Sequence, residues 1–221
     1  MIGAAIDRSI VSLGSDPVVG VGISTIALAG WLGVLAAMKR ALHPEDEITV
    51  ATWITAIRGS IAATLIGCVL IEPSTGLRWV VCGGFLLAAA LDRVDGQVAR
   101  YTDQRSAFGA RADTEADALL VLIGSILVVG WGVYAWWFLA VGAVRYGYVV
   151  GRYSRKRRGL PIYGGDTRWW NRGMYVLVLF GIAVGLAPPT AELVTEAFAL
   201  VIVIPFLLNF AHSWLVLTGR A

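Results

Sequence analysis

Two pairs of aspartates stand at helical spacing: Asp92 and Asp95 at i, i+3, and Asp113 and Asp117 at i, i+4. Each spacing puts both members of a pair on one face of a helix. Two antiparallel helices joined by the short segment between them can therefore point all four carboxylates into one pocket. Four close carboxylates repel one another unless cations sit between them. Oxygen-only ligands favour hard ions such as Mg²⁺ or Mn²⁺, and no His or Cys lies nearby to favour zinc. Such a site commonly clamps a phosphorylated substrate through two metals. Gly96 removes a side chain directly after Asp95, where a ligand has to come close. Arg100, one turn beyond Gly96 on the same face, offers a fork of donors to a phosphate. Gly109 extends the Asp113 and Asp117 stripe by one turn and opens space beside the acids.

The elements that must carry these groups are membrane helices. Of 221 residues, 57% are hydrophobic and 15% charged, against roughly a quarter charged in a soluble domain. Mean hydropathy is +0.73, and 26 glycines are spread through apolar stretches, where they let helices approach closely. A disordered chain is excluded, and a soluble domain does not suit this composition. The net charge of +3 suits anionic headgroups or phosphates, and no nucleic-acid motif is present, so no nucleic-acid partner is expected. Cys68 and Cys82 lie in apolar stretches without a second ligand at metal spacing and read as packing residues.

An uncharged run of about 20 residues is long enough to span, and Pro17 to Met38 supplies 22. This run is longer than a signal-peptide core and has no basic segment before it, so a cleavable leader is not expected. Ile48 to Ile71 is apolar apart from Arg58 and ends in the turn-forming Glu72-Pro73-Ser74-Thr75-Gly76. The uncharged part of the third helix, Trp79 to Leu91, has only 13 residues. It spans only if it continues through Asp92 to Arg100, so it carries aspartates at its end. Gly109 to Gly151 fits two antiparallel helices broken near Gly130-Trp131-Gly132. Gly173 to Leu186 and Ala197 to Leu217 follow, with Pro205 expected to kink the last.

The expected fold is therefore all-α: a polytopic membrane bundle of six core helices plus one extra N-terminal transmembrane helix. The chain divides into an extension over 1–47 and a catalytic unit over 48–221. From Arg152 to Arg172 seven basic residues face one acid, Asp166. By the positive-inside rule, the Asp92 to Arg111 segment, this cationic run and the C terminus lie in the cytoplasm. Of 18 basic residues only Arg8 and Arg78 then fall outside, and the N terminus is external. Glu45-Asp46-Glu47 reads as a solvated start signal for the second helix. Glu115 lies off the aspartate face.

The run Asp92-x2-Asp95-Gly96-x2-Ala99-Arg100-x8-Gly109-x3-Asp113-x3-Asp117 resembles the signature of the CDP-alcohol phosphatidyltransferase family (class I). The family core resembles six spans, as counted here from Ile48 onward. The resemblance implies a transferase of phospholipid biosynthesis, in which the hydroxyl of a small alcohol attacks a CDP-linked lipid and displaces CMP. It further implies that Asp92, Asp95 and Asp113 are the principal ligands of a two-metal site for Mg²⁺ or Mn²⁺, with Asp117 a further candidate ligand. Asp117 would double as the general base, and Gly96, Ala99, Arg100 and Gly109 would shape the CDP site. The helix before the signature in the family carries Asn-x-x-Thr-x-x-Arg near the nucleotide. Thr55 and Arg58 fit that pattern, and Thr52 stands at the Asn position.

Serine, glycerol 3-phosphate and inositol phosphate are acceptors across the family, and the cationic run leans toward a phosphorylated one. Membrane lipids are expected partners, and the glycine-rich helices together with the resemblance allow a homodimer. Two other readings are a polyprenyl-type transferase acting on a diphosphate and a cation or proton transporter. The Asp-Gly and Ala-Arg elements speak against the first. Acids gathered at one membrane face, not at the midplane, speak against the second.

Overall fold

The structure, a computed structural model, describes residues 17–101, 106–163, 168–191 and 196–220, excluding the side chains at 42, 95, 96, 98–101, 168–171 and 191. Among the described residues the chain is all-helical: α1 Pro17–Leu42, α2 Val50–Leu65, α3 Thr75–Tyr101, α4 Ala107–Gly130, α5 Leu139–Arg157, α6 Arg168–Leu186, the short α7 Pro188–Ala191 and α8 Glu196–Thr218. A 3-10 segment, Ile66–Leu70, extends α2, and another, Trp136–Phe138, leads into α5.

Local chemistry sets several of these ends. Proline is favoured in the first turn of a helix, and α1 begins at Pro17 and places Lys39 and Arg40 in its last turn, where the helix dipole is negative. Thr49 caps α2 by accepting the Thr52 N–H at 3.2 Å. The acidic run just before it does a different job from the expected start signal: Asp46 Oδ2 accepts the Phe108 N–H at 2.8 Å, at the head of α4. Ser106 Oγ accepts the Gly109 N–H at 2.9 Å, so two of the orphan donors of α4 are satisfied from two directions. The third helix does continue through the polar run to Tyr101, α4 ends at Gly130 as the glycines suggested, and α8 runs unbroken through Pro205.

Among the described residues three stretches, Pro17–Ala41, Val50–Leu70 and Glu196–Thr218, are long and apolar enough to cross a membrane, and Arg172–Leu186 is a shorter apolar helix. Large apolar side chains such as Val18, Ile26, Val80 and Leu208 are exposed, which lipid tolerates and water does not. The molecule is a helical membrane protein. Helices α3, α4 and α5 are less uniformly apolar because they carry the charged residues described below.

The packing order differs from a simple hairpin of the two acid-bearing helices. Helix α2 packs extensively against both α3 and α4, which meet each other only narrowly. A large core, including Phe85, Leu120, Phe138, Ile182 and Ile202, joins α3, α4, α5, α6 and α8. A smaller one, built from Trp31, Leu35, Ala63, Phe108, Ala112 and Ala116, seats α1 against α2 and α4. Here Trp31 Nε1 donates to Ala56 O at 3.1 Å. Its ring lies so close over Gly59 that any Cβ there would collide with it.

Candidate active site

Because α2 lies between α3 and α4, its one charged residue enters the gap between the acids. Arg58 is fully buried. Its Nη1 donates to Asp92 Oδ1 at 2.6 Å. Its Nη2 donates to Asp113 Oδ1 at 2.7 Å, to Asp113 O at 3.1 Å and to Asp117 Oδ1 at 3.0 Å. The planar guanidinium suits this task, since its donors diverge in a fixed fork that can serve several carboxylates at once. The three aspartates remain partly exposed, with side chains 30%, 41% and 29% accessible.

Oxygen atoms of Asp92, Asp113 and Asp117 all lie within 4.8 Å of one another. Three carboxyl groups share one guanidinium at a partly open site. Hard oxygen donors in this number and proximity fit a divalent cation of the Mg²⁺ or Mn²⁺ type, which would neutralise the charge that Arg58 leaves.

The acids open onto a cavity of about 1490 Å³. Its lining joins Asp92, Asp113 and Asp117 with the cations Arg93, Arg145, Arg152 and Arg172, the polar groups Tyr148, Tyr175, Asn209 and Ser213, and apolar residues including Leu86, Val121, Leu179 and Phe206. A chamber with acids, arginines and an apolar lining suits a ligand that has phosphates at one end and hydrocarbon at the other.

Of the residues singled out by sequence, Asp92, Asp113 and Asp117 come together. Asp95, Gly96, Ala99 and Arg100 are on the last turns of α3, and their side chains lie outside the described residues. Thr55 is buried, its Oγ1 donating to Ala51 O at 3.1 Å. Arg58, placed near the nucleotide by resemblance, is held by the carboxylates. The position of Gly109 is closely bounded: a Cβ there would come 3.0 Å from Ser106 Oγ and 3.1 Å from Thr52 Oγ1. The missing side chain thus lets Thr52 of α2 approach α4.

Two features escaped the sequence. Tyr175 Oη donates to Asp117 Oδ1 at 2.9 Å from α6, and nothing in the local pattern around Tyr175 announces it. Glu115 meets Arg145 Nη2 at 3.3 Å. The signal for that pair was Arg145 itself, a charge ending a long uncharged run, which in a membrane helix implies a partner or a ligand.

A buried guanidinium, a carboxylate cluster and a mixed cavity inside a helical bundle define a membrane protein built to handle charged groups at the edge of its apolar interior. Residues 48–218 match the family model of the CDP-alcohol phosphatidyltransferases, and the chain belongs to that family. It is also similar to a CDP-diacylglycerol–glycerol-3-phosphate 3-phosphatidyltransferase of Cereibacter sphaeroides, 39% identical over 64 residues. That stretch is 28% of this chain and spans only 29% of the relative's length. No solved structure matches the chain.

Proposed function

We propose that the protein moves a phosphatidyl-type group from a CDP-linked lipid to the hydroxyl of a small alcohol and releases CMP, as a step of phospholipid synthesis. The observation that carries this reading is the convergence of Asp92, Asp113 and Asp117 on one cavity that arginines and apolar side chains also line. Asp92, Asp95 and Asp113 would be the principal ligands of Mg²⁺ or Mn²⁺ in a two-metal site, with Asp117 beside them. The ions, when bound, supply positive charge to the diphosphate of the donor and to the charge that develops during transfer.

The chain's own groups do the rest. Arg58 keeps three mutually repelling carboxylates in register. Asp117 takes the proton of the acceptor hydroxyl as its oxygen bonds to the lipid-bearing phosphorus; the bond from that phosphorus to the CMP oxygen breaks, and CMP leaves with the electron pair. Gly96, Ala99, Arg100, Gly109 and Thr55 shape the CDP site around them.

The acceptor class is a phosphorylated alcohol. Arg145, Arg152 and Arg172 line the same cavity as the acids, and guanidinium groups bind phosphate oxygens through paired hydrogen bonds. The relative's name pairs a CDP-lipid with glycerol 3-phosphate, which supports the same class here. The site faces the cytoplasm and the N terminus is external, following the distribution of basic residues. Residues 48–221 form the catalytic unit, with 1–47 as an added extension.

The test is CMP release by purified protein with Mg²⁺ or Mn²⁺ and CDP-diacylglycerol, across glycerol 3-phosphate, inositol phosphate, serine and glycerol. Release with phosphorylated acceptors and not with glycerol or serine is the expected result. Folded protein that releases no CMP with any of them overturns the reading.

A further inference from the structure

Asp117 is held at one oxygen by two helices that are distant in sequence. Arg58 Nη2 on α2 donates to Oδ1 at 3.0 Å, and Tyr175 Oη on α6 donates to the same atom at 2.9 Å. Among the described residues no donor reaches Oδ2. Two charge-assisted hydrogen bonds arriving at one carboxylate oxygen restrict its rotation, and among the described residues Oδ2 is the oxygen left to accept a proton. Asp117 and Tyr175 both line the cavity.

The two ends of Tyr175 have separate tasks. Its ring packs against the main core, which includes Val178 and Ile182 of the same helix. That packing gives the ring a rigid seat, since only two side-chain torsions need fixing. A phenylalanine would occupy the same seat. Only the hydroxyl reaches Asp117.

We propose that Tyr175 is a positioning residue for the transfer reaction: its hydroxyl fixes the Asp117 carboxylate so that Oδ2 meets the acceptor hydroxyl. This rests on the reading of Asp117 as the general base. In the step itself the acceptor O–H bond breaks, its proton passes to Asp117 Oδ2, the acceptor oxygen bonds to phosphorus, and CMP departs. Tyr175 keeps its own proton throughout and touches no substrate atom.

Tyr175→Phe and Asp117→Asn in the full-length protein test this, with CDP-diacylglycerol, Mg²⁺ and the acceptor that supports wild-type CMP release. Misplacement of a reacting group costs on the order of 100-fold, so kcat of Tyr175→Phe should fall about 10- to 100-fold. KM for the acceptor and metal-dependent binding of CDP-diacylglycerol should stay within about threefold, the pattern of an interaction used in the transition state only. The binding measurement also reports that the variant is folded. If kcat of Tyr175→Phe stays within about twofold of wild type while Asp117→Asn is inactive, the role given to Tyr175 is wrong and the base assignment stands. A loss of kcat matched by equal loss of CDP-diacylglycerol binding makes Tyr175 structural and also overturns the proposal. Turnover retained by Asp117→Asn removes the base reading and the proposal together.

Discussion

Arg58 carries its charge in a fully buried position and pairs through Nη1 and Nη2 with three carboxylates from two helices. A buried charge that loses its partners, or carboxylates that lose their cation, cost far more than an exposed ion pair does. Arg58→Met is therefore expected to lower stability by about 3 kcal/mol, read as a fall in the melting midpoint in detergent. Added Mg²⁺ should restore part of it by supplying the missing positive charge. Arg58→Lys keeps the charge but replaces a planar fork with one compact head that cannot serve all three acids. It should fold and lose at least about tenfold in turnover, measured as CMP release. At Asp117 the expectation is sharper: Asp117→Asn should cost a factor of about 100 or more in kcat, with metal-dependent CDP-diacylglycerol binding retained. Loss of binding in parallel would assign Asp117 to the metal site alone.

At the scale of elements, the site depends on how α2 and α4 are held from behind. Helix α1 lies outside the residues that match the family model, 48–218, yet its Trp31 covers Gly59 and bonds to Ala56 O, on either side of Arg58 in the chain. The linker after α1 supplies Asp46, which caps the head of the helix that carries Asp113 and Asp117. Helix caps are worth about 1 kcal/mol, so Asp46→Ala should lower stability by that amount, with Asp46→Asn losing less because an amide oxygen still accepts. Trp31→Ala removes a large buried ring and should cost about 3 kcal/mol, seen in thermal unfolding. The acidic run before α2 shows why such roles are hard to read in advance. It reads as a solvated start signal for the next helix, whereas Thr49 caps that helix itself and Asp46 turns to one 62 residues further on.

For the whole molecule, the relevant property is that one chamber joins carboxylates, guanidinium groups and apolar side chains. Removing divalent ions with a chelator should stop CMP release, and Mg²⁺ or Mn²⁺ should restore it while Ca²⁺ does so poorly, because Ca²⁺ prefers longer bonds and more ligands. The sidedness of the bundle can be checked with cysteines introduced at Arg158 and at Ser74 in a background without Cys68 and Cys82. An impermeant thiol reagent applied to intact cells should label the second and spare the first.

Legible along the chain is whatever lies within single helices. The spacing of Asp92 with Asp95 and of Asp113 with Asp117 places each pair on a face because 3.6 residues make a turn, whatever the rest of the chain does. Run lengths and turn residues likewise located the seven long helices among the described residues, since apolar length and glycine or proline punctuation are local properties. Which helix stands between the acid-bearing pair, and so which cation they share, is set by packing between helices. Arg58 reaches acids 34, 55 and 59 residues away, and Tyr175 reaches Asp117 across 58. Such meetings follow from the shapes that helices present to each other, as where Gly59 admits the ring of Trp31 and Gly109 admits Thr52. No period along the chain encodes them.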